Sequence, residues 1–96
     1  MLRKYECMYI TDMQLQEEEL AKLLELMTSI IKNNGGEFVE NVLIGSRYFT
    51  YPIKKKNMGN YSLLTFNANN KVLSELQERL NYDDRLLRFV ITKIEH

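Results

Sequence analysis

The sequence predicts an α+β domain in which a four-stranded antiparallel sheet carries two helices on one face. Three observations lead there. Apolar residues recur at helical spacing in two stretches and in strand-like alternation in four, and these stretches follow one another as β-α-β-β-α-β. With 96 residues, 45% of them hydrophobic and one proline, the chain has the size and composition of a single packed core. One domain over residues 1–96 is expected.

Residues 3–10 alternate Arg3, Tyr5, Cys7 and Tyr9 with Lys4, Glu6, Met8 and Ile10, the period of a strand. The tyrosine and cysteine set is expected to face the core, because the other set begins with two charges. Asp12 is expected to cap a helix over about 15–33, with Glu17, Glu18 and Glu19 at the positive end of its dipole. Leu20, Leu23, Leu24, Met27, Ile30 and Ile31 form one apolar stripe along it. Asn33, Asn34, Gly35 and Gly36 then end the helix, a glycine taking the left-handed conformation beyond the last turn.

Residues 37–53 are extended in type, and Gly45 signals a bulge. Pro52 lacks the amide proton that a central ladder requires, so this strand belongs at an edge. Lys54 to Asn60 read as a hairpin loop with Gly59 as its turn residue, and Tyr61 to Asn67 as the returning strand, with Leu64 and Phe66 inward. Ala68, Asn69 and Asn70 start a second helix over about 70–81, buried through Val72, Leu73, Leu76 and Leu80. After a break at Asn81 to Asp84, a last strand over about 85–94 turns Leu87, Phe89 and Ile91 inward and leaves Arg88 and Thr92 on the other face. This order is the ferredoxin-like arrangement.

Catalytic and metal-binding sets are missing from the sequence. Ser29, Ser46, Ser62 and Ser74 stand in no motif with a histidine, and His96 is the only histidine. One cysteine, Cys7, allows no disulfide within the chain, and Cys7 with His96 falls short of a zinc ligand set. Cys7 between two tyrosines reads as a small buried hydrophobe. The glycines fit no phosphate-binding loop, and the Glu17–Glu19 run reads as a solvated helix start. Catalytic residues, metals and cofactors are therefore not expected, and the protein is expected not to be an enzyme. The first ten residues lack the apolar segment of a signal peptide and no run of about 18 apolar residues occurs, so a cytoplasmic protein is expected.

Formal neutrality conceals an uneven distribution of charge. Residues 12–25 carry five acids and one lysine, whereas residues 44–61 carry Arg47, Lys54, Lys55 and Lys56 and no acid. A local basic patch attracts phosphate whatever the distant surface carries. A lysine run is equally what a solvated loop or a protected edge strand shows, and Tyr48, Phe49, Tyr51 and Tyr61 suit either base stacking or sheet packing. The returning strand, GNYSLLTF, lacks the glycine-aromatic signature of an RRM.

Three segments, RKYECMYI, GSRYFTYPIKKKNMGNY and LLRFVITK, in this order, resemble the bacterial small-subunit ribosomal protein six family over essentially the whole chain. The resemblance implies the ferredoxin-like fold, no enzyme activity, and a structural role binding 16S ribosomal RNA together with small-subunit ribosomal protein eighteen. It assigns RNA or partner contacts to Arg3 and Lys4, to Arg47, to Lys54, Lys55 and Lys56, and to Arg88, with Arg3 and Arg88 foremost on phosphate. These two arginines, on adjacent strands, are expected to share a surface. An apolar strip of Met8, Leu63 and Val90 on the open face would seat the partner protein. The chain departs from the family pattern at Ile44, where many members carry tryptophan or leucine, and at Phe49-Thr50, where leucine-alanine is usual. Ending at His96, it is expected to lack the acidic C-terminal extension of some members. The alternative from another class is a ferredoxin-like regulatory or small-molecule-binding module that dimerises through its sheet. An acylphosphatase-like enzyme would need a glycine-rich cradle where Thr11-Asp12-Met13-Gln14 stands.

Overall fold

In the computed structural model, residues 1–94 are described; Glu95 and His96, the latter weighed above as a ligand or catalytic base, lie outside the described residues. The elements are β1 (Arg3–Thr11), α1 (Glu17–Asn33), β2 (Glu37–Ile53), β3 (Lys56–Ala68), α2 (Asn70–Leu80) and β4 (Leu86–Lys93). All neighbouring strands are antiparallel, in the spatial order β2-β3-β1-β4. This is the predicted ferredoxin-like architecture.

The alternation of β1 sets the core. Cys7 and Tyr9 are buried and Tyr5 packs beside them, while Leu64 and Phe66 lie opposite Cys7 and Tyr5 on β3. Tyr5 and Phe66 stack with ring centroids 6.1 Å apart. Leu23, Met27 and Ile31 of α1 and Val72, Leu76 and Leu80 of α2 close over this face. Burying a side chain of this size contributes about 1.5–3 kcal/mol, so these stripes hold the helices in place. The Tyr9 hydroxyl, buried with its ring, donates to Asn41 Oδ1 at 2.8 Å and so ties the central strand to β2 across the core.

Helix boundaries follow their capping chemistry. Asn69 Oδ1 accepts from the Val72 amide at 2.9 Å, the expected N-cap of α2. At the end of α1, the Gly36 amide donates to Ile31 O and the Gly35 amide to Lys32 O, with Gly35 at φ +93°, a Schellman closure. Asp12 does not cap α1. Its Oδ1 accepts from Gln14 N, its carbonyl accepts from Leu15 N, and the helix begins later than expected, after Gln16, which offers no side-chain cap.

Two further expectations shift. The β2–β3 connection is a two-residue turn at Lys54 (φ 50°) and Lys55 (φ 66°), so β3 starts at Lys56 and is longer than the expected strand. Both central residues at positive φ define the primed turn that matches strand twist. Gly59 is consequently a buried strand residue. A Cβ there would lie 2.7 Å from Ile10 Cγ2, 2.9 Å from Phe49 Cζ and 2.9 Å from Thr11 O, so close approach, not turning, requires glycine. On β4, the register shifts at Ile10/Thr11 and brings Leu86 into the core, whereas Leu87 is only half-buried. Phe89 and Ile91 face inward as expected. Gly45 marks a register shift in β2, and Pro52 lies on an edge strand, both as predicted.

Candidate nucleic-acid interface

The turn at Lys54-Lys55 holds two lysines at the tip of the β2–β3 hairpin, and the fold then treats the three consecutive lysines differently. Lys54 Nζ donates to the Leu86 carbonyl at 3.0 Å, pinning the tip to the corner between α2 and β4. Lys56 Nζ lies 3.0 Å from Asp12 Oδ2. The Asp12 carboxyl is held below the usual range, first by the Gln14 amide and then by this lysine. Lys55 makes no ion pair among the described residues and is exposed. The run is thus one anchor, one ion-pair partner and one solvated cation.

The corner that receives Lys54 is braced by a charged contact of its own. Buried Asp83 accepts from Arg85 Nε at 2.8 Å and from its Nη2 at 2.6 Å, and from the Arg85 amide at 3.0 Å. The Arg85 guanidinium holds the Asp83 carboxyl below its ordinary range. Lys54 and Arg88 both line a shallow concavity of about 270 Å³ at this corner.

Arg88 is opposite Ile10 on the open face of the sheet, and Arg47 is opposite Gly59 on that same side. Three strand spacings separate β2 from β4, so the two arginines flank the open face at the hairpin end roughly 15 Å apart. Between them lie Tyr61 and Ile10, and Phe49 packs on Tyr61 at 6.2 Å between ring centroids.

Arg3 and Lys4 do not join this cluster. Arg3 is opposite Ala68 and Lys4 opposite Asn67, about seven residues along β1 from Arg88, or roughly 23 Å. Arg3 also falls in the alternation set of Tyr5, Cys7 and Tyr9, so it and Arg88 belong to opposite faces as well as opposite ends. Adjacent strands do not make these two arginines a shared surface. Lys4, by contrast, is on the open face, beyond a polar row of Glu40, Thr65, Glu6 and Thr92.

Between that row and the basic end runs a continuous apolar row, Val42–Leu63–Met8–Val90, each residue opposite the next across all four strands. The expected strip of Met8, Leu63 and Val90 is present, and Val42 extends it to the sheet edge. Val42 was hidden in the sequence because Val42, Leu43 and Ile44 are all apolar, so no alternation marks which of them faces outward. The four aromatics of the hairpin also separate: Phe49 and Tyr61 pack on each other, whereas Tyr48 and Tyr51 are 80% and 79% exposed.

Cys7 is buried and its thiol is pushed up to about 12 by desolvation, so it is no nucleophile at neutral pH. Among the described residues no cluster of His, Cys, Asp or Glu could hold a metal ion, and no helix is long and apolar enough to cross a membrane.

Comparison with known proteins gives a consistent result. The family model described as ribosomal protein S6 matches residues 4–93. The small ribosomal subunit protein bS6 of Thermoanaerobacter pseudethanolicus is 38% identical over 94 residues, which cover 98% of this chain and 99% of that protein. The bS6 of Syntrophobacter fumaroxidans is 33% identical over 98% of this chain, and the match spans 64% of that relative's length. The crystal structure of 30S ribosomal protein S6 from Thermotoga maritima superposes with a TM-score of 0.87 at 29% identity, covering 98% of this chain and 89% of the other.

Proposed function

Because this chain belongs to the ribosomal protein S6 family, a structural and non-enzymatic family of the small ribosomal subunit, we propose that it binds 16S ribosomal RNA together with small-subunit ribosomal protein eighteen. Its place is then the bacterial cytoplasm, within the small subunit. The observation that carries this reading is the layout of the open face. Arg47 and Arg88 flank one end of it, the Lys54-Lys55 tip stands at that same end, and the Val42–Leu63–Met8–Val90 row lies alongside.

Guanidinium and ammonium groups at that spacing suit the sugar-phosphate backbone of folded RNA, where contacts position a protein without reading sequence. The apolar row suits a protein partner, because removing it from water adds affinity that phosphate contacts do not supply. RNA and partner protein would then meet on adjoining parts of one face. Lys4, on the open face at the far end of β1, and Arg3, on the other face at that end, would serve contacts separate from this one.

The test is co-sedimentation of the protein with small ribosomal subunits, followed by binding to 16S central-domain RNA with and without protein eighteen. Association with subunits, and RNA affinity that rises when protein eighteen is added and falls steeply with salt, are expected. Failure to sediment with subunits, or an affinity indifferent to salt, overturns the proposal.

A further inference from the structure

The exposure of Tyr48 and Tyr51 calls for a purpose. Of the four aromatic residues between Ile44 and Tyr61, two are consumed in packing, Phe49 against Tyr61. The other two leave about four-fifths of their surface in water, on a strand where a polar residue would serve as well. They stand within three residues of each other on β2, between Arg47 and the Lys54-Lys55 turn, in a segment with no acidic residue. Arg47 is exposed, its Nη1 donating to the neighbouring Ser46 carbonyl, and Lys55 has no ion-pair partner among the described residues.

We propose that Tyr48 and Tyr51 are stacking platforms for unpaired bases of an RNA strand that runs along the exposed β2 edge, with Lys55 and, from the other face of that edge, Arg47 holding its phosphates. This rests on the reading of the protein as an RNA binder and adds which part of the RNA the hairpin recognises: an unstacked bulge, loop or junction, not a continuous duplex. An exposed aromatic ring on an edge strand whose sequence neighbours include cations and no acid offers a nucleotide both a π-face and a counter-charge. A protein surface would be matched by the apolar row elsewhere on the sheet, whereas these rings sit in the most positive stretch of the chain. Base stacking on an A-form duplex is closed to side chains, so the rings require bases that have left the stack.

The experiment uses full-length protein and transcribed 16S central-domain RNA. Tyr48→Ala and Tyr51→Ala are each expected to weaken binding by about 5- to 150-fold. Neither should change the dependence of affinity on salt, because a lost stack releases no counterions. Tyr48→Phe and Tyr51→Phe keep the ring and should bind within about threefold of the parent. The chain has no tryptophan, so tyrosine emission can be followed directly. RNA should quench it in the parent, and the quenching should be largely lost in the double phenylalanine variant although that variant still binds. Both tyrosines are exposed, so the alanine variants should melt with the parent.

Alanine variants that bind the RNA as the parent does overturn the stacking role while leaving RNA binding intact, and so does quenching that survives the double replacement. Alanine variants that lose only protein eighteen assign the rings to a protein interface and overturn it as well. A parent protein that fails to bind the RNA removes the premise, and the inference falls with it.

Discussion

The ammonium of Lys56 lies 3.0 Å from the carboxylate of Asp12, joining the first residue of β3 to the connection that leaves β1. Of three consecutive lysines, this one has its charge compensated inside the protein. Lys55→Ala is therefore expected to lower the magnitude of the slope of log K against log salt for RNA by about 0.7–0.9. Lys56→Ala should change that slope much less. Equal changes in the two titrations would show that the Asp12 pair opens on the RNA.

The apolar row predicts a different sensitivity. Val90 is exposed at one end of it, opposite Met8. Val90→Glu should leave the urea unfolding free energy within about 0.5 kcal/mol of the parent, as exposed substitutions do. Association with protein eighteen, measured by calorimetry, should weaken at least about tenfold, since a carboxylate would be desolvated in the contact.

Gly59→Ala tests the close approach of β3 to β1 and β2. The added methyl would meet Ile10, Phe49 and the Thr11 carbonyl at 2.9 Å or less, and a backbone oxygen cannot rotate away. The variant should lose about 1–3 kcal/mol in urea unfolding at neutral pH. A turn residue in a flexible loop would tolerate the change, so a loss near zero would return Gly59 to that role.

Acid should release the corner that anchors the hairpin. The Asp83 carboxyl is held low by Arg85, so its contribution is complete above the unfolded value of about 3.9 and is lost as pH falls through the lower folded value. Asp83→Asn should cost about 1.5–3 kcal/mol at pH 7, where a charged hydrogen-bond partner is removed. The gap between parent and variant should close as pH is lowered below about 4. A gap that stays constant with pH would mean the loss is one of shape and not of charge.

Much of this fold was legible because burial repeats with the backbone period. Tyr5, Cys7 and Tyr9, or Leu23, Met27 and Ile31, declare one face whatever they pack against. The hairpin tip was not legible, because its turn places two lysines at positive φ where glycine or asparagine is usual, and the nearby Gly59 drew the turn toward itself. The same limit applied to the basic residues. Their types could be read, but the division of Lys54, Lys55 and Lys56 depends on Leu86 and Asp12, which only the folded chain brings within 3.0 Å. Arg3 and Arg88 mislead for a related reason: strand adjacency was foreseen correctly, yet antiparallel register puts them at opposite ends.

The position of β1 has a consequence for how the protein is made. It lies between β3 and β4, so the earliest strand to be synthesised has one flank that stays unpaired until Leu86–Lys93 has been polymerised. A nascent chain ending before that point exposes the edge of its own central strand, with Val42, Leu63 and Met8, three of the four residues of the apolar row, already in place. The interval between α2 and β4 is thus the window in which premature association competes with folding. Completing the sheet waits on the last of the four strands to be made, a segment of eight residues.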